Sequence, residues 1–532
     1  MVPCVVFEDD EILVVNKPPG LNTHSAAPYT GEGIYDWLRH REPRWQSLSI
    51  LHRLDKDTSG ILLFGKTRLA NRSLTAQFEK RKIIKRYVFL TDRPCPQTPI
   101  FLRTPIVREG CRFVCKGDGV HGQIAETRFR LRGTFESYNV VEAEPLTGRT
   151  HQVRTHAAHA GFPVLGDTLY GGTPAWRLCL HSELLVFYHP KTCKKLSFTS
   201  EADWKARPSI ALRTALIDPS QTDVFRVIHG AADGWPGWFV DKLGDYLFSQ
   251  KASPLAGEEL AMIETLVAQF SCLGVYHQVT DRHHGTPDVR SNVILLKGQP
   301  PDNGEIRVRE NGVRYLLKLG KGSSVGLFLD QRDNRRRILV NHVGANFPLF
   351  ENPPAEIRVL NLFAHTCGFS VCAAMARGRT TNVDLSKTYL EWARSNFVLN
   401  NLRPDEHEFL RGDAMDWVRR LRKKGRKFDL VIVDPPTFST SKERGVFRVE
   451  KDLTSLVGEC VPLVAEGGVL FVSCNAAGYD PARFVNDVLC AVELGGARPT
   501  SSHYAPQPPD FPTTKAQPAH LKSIWLRLST QG

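Results

Sequence analysis

Residues 1 to about 200 carry short apolar segments broken by Gly, Pro and Asn. EILVVNKPPG (11–20) reads as a strand ending in a proline turn, and GILLFGKT (60–67) as a second strand. LANRSLTAQFEKRK (69–82) has a helical spacing and leads into another strand, KRYVFL (85–90). The pattern predicts an α+β block with a mixed or antiparallel sheet. Periodicity fades across TSEADWKARPSIALRTALIDPSQTD (199–223), which marks a boundary near residue 205. A second block, 206–345, has strand-like VFRVIHG (224–230), GWFVDKLGDYLFSQ (237–250) and VRYLLKLG (313–320), with a helical LAMIETLVAQF (260–270) among them. It predicts a small central α+β domain.

From residue 346 to 532 the rhythm changes again. Apolar IRVLNLF (357–363), TTNVDLS (380–386), FDLVIVDPP (428–436) and GGVLFVSCN (467–475) are separated by helical stretches such as KTYLEWARSNFVLNN (387–401). Strands alternating with helices predict a Rossmann-like α/β domain whose mostly parallel sheet is covered on both faces. The Pro-rich SSHYAPQPPDFPTTKAQPAH (501–520) reads as a loop lining a site. The fold class is therefore multidomain, with blocks 1–205, 206–345 and 346–532.

Composition narrows the partners. The net charge of +13 points to a polyanion. Lys80-Arg81-Lys82 and Arg335-Arg336-Arg337 are the obvious basic clusters, as phosphate contacts or as solvated faces. No apolar run reaches the ~18 residues of a membrane span. MVPCVVFEDDEILVV has neither the basic start nor the cleavage site of a secretory signal, so a cytoplasmic protein is expected. The twelve cysteines are scattered, and the closest pairs, Cys111/Cys115 and Cys367/Cys372, lack a second pair or histidines at zinc spacing. Reduced thiols and no metal are expected.

Candidate chemistry gathers in two places. HRLDKDTSG (52–60) sets Asp55 beside Arg53. An isolated Arg-x-Asp is most simply a surface ion pair worth about 0–1 kcal/mol. Here it follows VVNKPPGLNTHS (14–25) and precedes KRYVFL, PLTGRTHQVRTHAAHAGFPVLGDTLYGG (145–172) and LCLHSELLVFYHP (178–190). Together these segments resemble an RluA-type pseudouridine synthase over nearly all of residues 7 to 200. That resemblance implies a cofactor-free isomerisation in which the bond from ribose to uracil N1 breaks, the uracil turns, and it rejoins the ribose through C5. It makes Asp55 the essential carboxylate, Arg154 its partner, and Tyr87 the ring that stacks on uracil and assists removal of the C5 proton. Arg53, Arg149 and His151 are expected to contact RNA. His52 and His156 read as structural or phosphate-contacting rather than as metal ligands.

In the last block, RVLNLFAHTCGFS (358–370), NVDLS, RGDAMDW (411–417) and LVIVDPPTFSTSK (430–442) place a tight turn and three acidic residues at successive strand ends. A carboxylate closing the second strand suits ribose hydroxyls, and a dinucleotide-binding dehydrogenase shows similar spacing. DPPTF after the fourth strand favours a class I S-adenosylmethionine-dependent methyltransferase. Residues 222 to 532 resemble the RlmI/RlmK-like branch of large-subunit ribosomal RNA methyltransferases, carried by VIHGAADGWPGWFVDKLGDYL (227–247) and SSVGLFLDQRDNRRR (323–337). The resemblance implies S-adenosylmethionine as cofactor, held by Phe328, Asp330, Arg332, Asn361, Phe363, Gly368, Asp384, Asp413, Asp434 and Pro435, with Asp434 also catalytic. Cys367 departs from it, standing where relatives have a glycine. DPPTFSTSK is similar to guanine-N7 members, whereas Cys474 sits where cytosine-C5 members carry a nucleophilic thiol, so Cys474 is catalytic only if C5 is the target. Guanine is slightly favoured.

The sequence thus predicts a bifunctional enzyme acting on RNA, expected to be large-subunit ribosomal RNA. Its rivals are a ribosome-assembly factor with one or both sites idle, or a small-molecule methyltransferase fused to a pseudouridine synthase. Nothing in the sequence specifies an oligomeric state.

Overall fold

The structure, a computed structural model, describes residues 2–117, 122–280, 293–320, 324–441 and 445–530. It forms two compact units, one of residues 1–25, 33–36 and 47–218, the other of residues 26–32, 37–46 and 219–532.

The first unit is built on an eleven-stranded mixed sheet. Its central strand, Ser59–Gly65, is buried at every position, as its run of Ile, Leu, Leu and Phe requires. It pairs antiparallel with Ile12–Lys17 and parallel with Leu180–Tyr188, whose other edge carries Ile84–Thr91. Gly60 makes the parallel junction possible: its φ is +117°, and a Cβ there would lie 2.3 Å from the Ser182 carbonyl oxygen. The helix Arg68–Glu79 starts where Thr67 Oγ1 accepts the Ala70 N–H, and Leu74 carries its apolar face onto Ile61 and Leu63. The helix Gln152–His159 begins after His151, whose φ of 55° turns the chain inward.

In the second unit, the central and C-terminal blocks predicted as separate domains share one core. Val224, Tyr246, Ile306 and Tyr315 lie in the same buried cluster as Val359, Phe471 and Trp525. GWFVDKLGDYLFSQ is not one strand but a hairpin, Phe239–Leu243 and Tyr246–Lys251, turning at Gly244 with φ +56°. The C-terminal sheet has seven strands in the order Glu408–Arg411, Gly378–Asp384, Ile357–Leu362, Phe428–Val433, Val464–Cys474, Lys522–Thr530, Ala497–Pro506. The first five run parallel and the last two pair antiparallel. The ends of the parallel strands carry every acidic residue singled out above in this block. Among the described residues, no helix is long and apolar enough to cross a membrane.

Candidate active sites

In the first unit the NKPPG turn supports the loop that carries Asp55. Lys17 is fully buried, and its ammonium donates to the carbonyls of Pro18, Leu21 and Lys56 at 2.7–3.0 Å. Burial lowers its pKa to about 7, against the opposing pull of Asp57 and Asp55. Thr23 Oγ1 adds a reciprocal pair, donating to the Leu54 carbonyl and accepting the Leu54 N–H. Asp55 is thus presented from a loop fastened on both sides.

Arg154 reaches it from the Gln152–His159 helix. Its Nη1 donates to Asp55 Oδ2 at 3.2 Å, while Nε and Nη2 donate to the buried Asp167 at 2.7 and 2.9 Å. Burial works against the guanidinium charge, but Asp167 and then Asp55 outweigh it and raise its pKa. Tyr170 lies under the guanidinium, 5.1 Å from ring centroid to Cζ, and its hydroxyl meets His151 Nδ1 at 2.8 Å. His151 Nε2 stands 3.8 Å from Asp55 Oδ2, and burial lowers its pKa.

Asp55, Tyr87, Arg154, Arg53, Arg149 and His151 all line one cleft of ≈ 1010 Å³. The expected set is therefore assembled. Burial, and then the charge of Asp55, push the Tyr87 phenol up to about 12, so it is a neutral ring with a polar tip at ordinary pH. Lys56, Arg81 and Lys85 join Arg53, Arg149 and Arg154 in the lining, against only Asp55 and Glu79 of opposite sign. Such a cleft attracts a phosphate backbone. His156 turns inward instead, whereas His52 lines the cleft. His52 Nε2 accepts the Leu63 N–H, and His156 is fully buried between the hydroxyls of Thr104 and Thr127.

In the second unit the segment after Ile357–Leu362 is strained. Phe363, His365 and Cys367 have φ of 56°, 50° and 63° before the helix Gly368–Met375 begins. Left-handed non-glycine residues cost about 1–3 kcal/mol each and cluster at ligand sites. Asp384 braces this turn: its two oxygens accept the N–H of His365 and of Ser386, each at 2.8 Å. Each oxygen keeps a second acceptor site for a ribose hydroxyl. Asp413 caps the helix Ala414–Lys423 through the N–H groups of Met415 and Asp416. Asn361 is buried and donates to Ser370 Oγ, so it fixes the turn from beneath. The Cys367 side chain packs in the core. His365 Nε2 is buried without a hydrogen-bond partner. An orphaned acceptor beside an acidic strand end and a strained turn fits a ribosyl-adenine donor such as S-adenosylmethionine.

Asp434, before the buried Pro435, accepts from Gln331 Nε2 at 3.2 Å and from Ser473 Oγ. Burial raises its pKa to about 6. Lys442, which ends the DPPTFSTSK motif, lies outside the described residues. Along Val464–Cys474 the side chains alternate. Val469 and Phe471 enter one core cluster, whereas Leu470, Val472 and Cys474 enter the cluster on the opposite face. Ser473 therefore faces Asp434, and Cys474 turns away, fully buried with its thiol pKa raised by that burial.

Phe328 is 45% exposed and its ring lies 5.1 Å from that of His365, so it does fold over the turn. Arg332 does not serve the donor: it is buried, with Nη1 and Nη2 donating to Asp510 at 2.8 and 2.6 Å. Asp330 accepts from His520 at 3.1 Å and keeps acceptor capacity, lining a pocket with Phe328. The Arg335-Arg336-Arg337 cluster is no solvated face either. Arg335 and Arg337 are buried, Arg335 clasping Glu310 at 2.6 and 2.8 Å.

Each part of the chain matches a known family. Residues 11–159 match the family model for RNA pseudouridylate synthase, and residues 226–527 that for S-adenosylmethionine-dependent methyltransferase. "Ribosomal large subunit pseudouridine synthase C" of Yersinia pestis is 37% identical over 220 residues, 39% of this chain and 68% of that protein. "Ribosomal RNA large subunit methyltransferase I" of Aeromonas salmonicida is 30% identical over 321 residues, 59% of this chain and 77% of that protein. "Ribosomal RNA large subunit methyltransferase K/L" of Dichelobacter nodosus is 41% identical over 191 residues, 36% of this chain but 24% of its own length. The chain belongs to the RNA pseudouridylate synthase family through its first part and to the S-adenosylmethionine-dependent methyltransferase family through its second.

Proposed function

We propose that the chain modifies large-subunit ribosomal RNA twice, isomerising a uridine with its first unit and methylating a guanine at N7 with its second, in the cytoplasm. The observation that carries the first activity is the Asp55–Arg154 contact inside a cleft that also presents Tyr87. In this reading the Asp55 carboxylate acts at the riboside as the base is detached, with Arg154 holding it in place. Tyr87 stacks on the uracil, and its hydroxyl, neutral at ordinary pH, relays the proton leaving C5, taking it on oxygen as its own passes to solvent. Arg53, Arg149 and the lysines of the cleft take phosphates, offsetting the few kcal/mol needed to extrude a base.

For the second activity, S-adenosylmethionine supplies an electrophilic methyl group. Asp384 and Asp413 take its ribose and adenine, and Phe363, Gly368 and Phe328 border it. Guanine N7 is supported over cytosine C5 by the placement of Cys474. A C5 acceptor needs a thiolate adduct at C6, and this thiol is buried on the far face of its strand. N7 has a lone pair and needs no nucleophile. Its methylation leaves the base cationic, and an ionised Asp434 stabilises that charge. The three relatives whose names begin "Ribosomal RNA large subunit" or "Ribosomal large subunit" support the choice of RNA.

The test is nucleoside mass spectrometry of unmodified large-subunit RNA incubated with the protein and isotopically labelled S-adenosylmethionine. New pseudouridine together with labelled 7-methylguanosine is expected. An RNA unchanged in both contradicts the reading, and label in a free metabolite instead favours a small-molecule methyltransferase.

A further inference from the structure

The Pro-rich stretch 501–520 has no part in the sites above, yet it is fixed with unusual care. Asp510 is fully buried and takes both Nη atoms of Arg332. Gln507 Nε2 donates to the Phe511 carbonyl at 2.6 Å, and its Oε1 accepts the His520 N–H at 3.1 Å. A buried ion pair gains little net stability but fixes one arrangement. What it fixes is the wall of a second pocket, ≈ 230 Å³, below the ~300–1,000 Å³ of sites for larger ligands.

Phe248, Phe328 and Phe511 give this pocket flat apolar surface, and Asp330, His520, Asn475 and the mutually paired Arg226 and Asp241 are among its polar groups. Its position is telling. Asp330 and Asn475 line it, while Gln331, beside Asp330, and Ser473, two residues before Asn475, both hold Asp434 Oδ1. Phe328 meanwhile abuts His365 of the donor turn. The pocket therefore adjoins both the donor turn and Asp434.

We propose that this pocket receives the extruded guanine, with the Asp330 carboxylate gripping its N1–H and amino edge and His520 positioning that carboxylate. The proposal rests on the methyl-transfer reading above. Enzymes that act on a base hold it between aromatic or apolar side chains and read its Watson–Crick edge. A carboxylate accepts two parallel N–H groups from guanine, whereas adenine N1 and cytosine N3 would turn a lone pair against it. Burial opposes the Asp330 charge, but the His520 hydrogen bond, with the charges of His520, Arg335 and Arg226, outweighs it and holds the carboxyl below its usual range. Asp330 thus stays an acceptor. Gripped at that edge, the guanine keeps N7 unengaged on its opposite side.

The experiment compares the full-length protein with Asp330→Asn on large-subunit RNA, using labelled donor. S-adenosylhomocysteine calorimetry serves as a check of donor binding. The expected result is a ~10- to 100-fold loss of methylguanosine formation, the discrimination of a bidentate base contact, with donor affinity retained. An unchanged rate overturns the pocket assignment, as does methylcytosine as the wild-type product. If Asp330→Asn loses donor binding as well, His520→Gln against His520→Phe decides: Gln should retain more activity, and equal rates overturn the proposal. A wild-type protein that methylates no RNA at all defeats the underlying reading and this proposal with it.

Discussion

Arg154 divides one guanidinium between two carboxylates, with Nη1 on Asp55 at 3.2 Å and Nε and Nη2 on the buried Asp167 at 2.7 and 2.9 Å. Asp167 therefore aims the arginine that aims Asp55. Asp167→Asn should lower kcat for uridine isomerisation by ~10- to 100-fold with little change in KM, as expected for ångström-scale misplacement of a reacting group. Steady-state kinetics on an RNA stem-loop separates the two parameters. A pure rise in KM would place Asp167 in RNA binding instead.

Acid should weaken the first unit before its carboxylates titrate. Burial lowers His156 and His181 to about 4. Both are neutral when folded and gain protons more readily when unfolded, so their contribution is complete above pH ~6.5 and is lost as pH falls towards 4. Urea unfolding at pH 6.5 and 5 should show a loss of up to ~2 kcal/mol per histidine. His181→Gln should flatten that slope, and an unchanged slope contradicts the assignment.

Methyl transfer should depend on pH through Asp434. Burial raises its carboxyl to about 6, so the ionised form appears as pH rises through that value. The single-turnover methylation rate should climb between pH 5 and 7 and then level. Asp434→Asn should give a flat, lower profile. A wild-type rate independent of pH in that window means Asp434 does not act as an anion.

Cys474→Ala should keep methylation within a few-fold of wild type and cost stability instead. The thiol is fully buried, and emptying its space is a loss of about 1 kcal/mol by the lower end of core truncations. A collapse of activity with donor binding intact would restore the C5 chemistry.

Much of this was legible before the fold. The alternation of strands and helices gave the parallel sheet, and HRLDKDTSG with its companion segments gave Asp55, Tyr87 and Arg154. The facing of Cys474 was also readable in principle, since LFVSC alternates and Ser473 and Cys474 must point opposite ways. Three things were hidden because they depend on long-range pairing. Lys17 looks like any turn lysine until the carbonyl of Lys56 is brought to it. Asp510 sits in a loop sequence, yet it neutralises Arg332 across 178 residues. Arg335 and Arg337 read as surface charge because local sequence does not show Glu310 waiting for the first or the Val343 carbonyl for the second.

The most direct test replaces a single oxygen. Asp55→Asn keeps the size of the side chain and removes its charge, and the same RNA reports both reactions. Pseudouridine should fall by at least ~10²–10⁴-fold, the range of a positioned catalytic group, while labelled 7-methylguanosine accumulates as in wild type. Pseudouridine formed at the wild-type rate by this variant would contradict the account at its root.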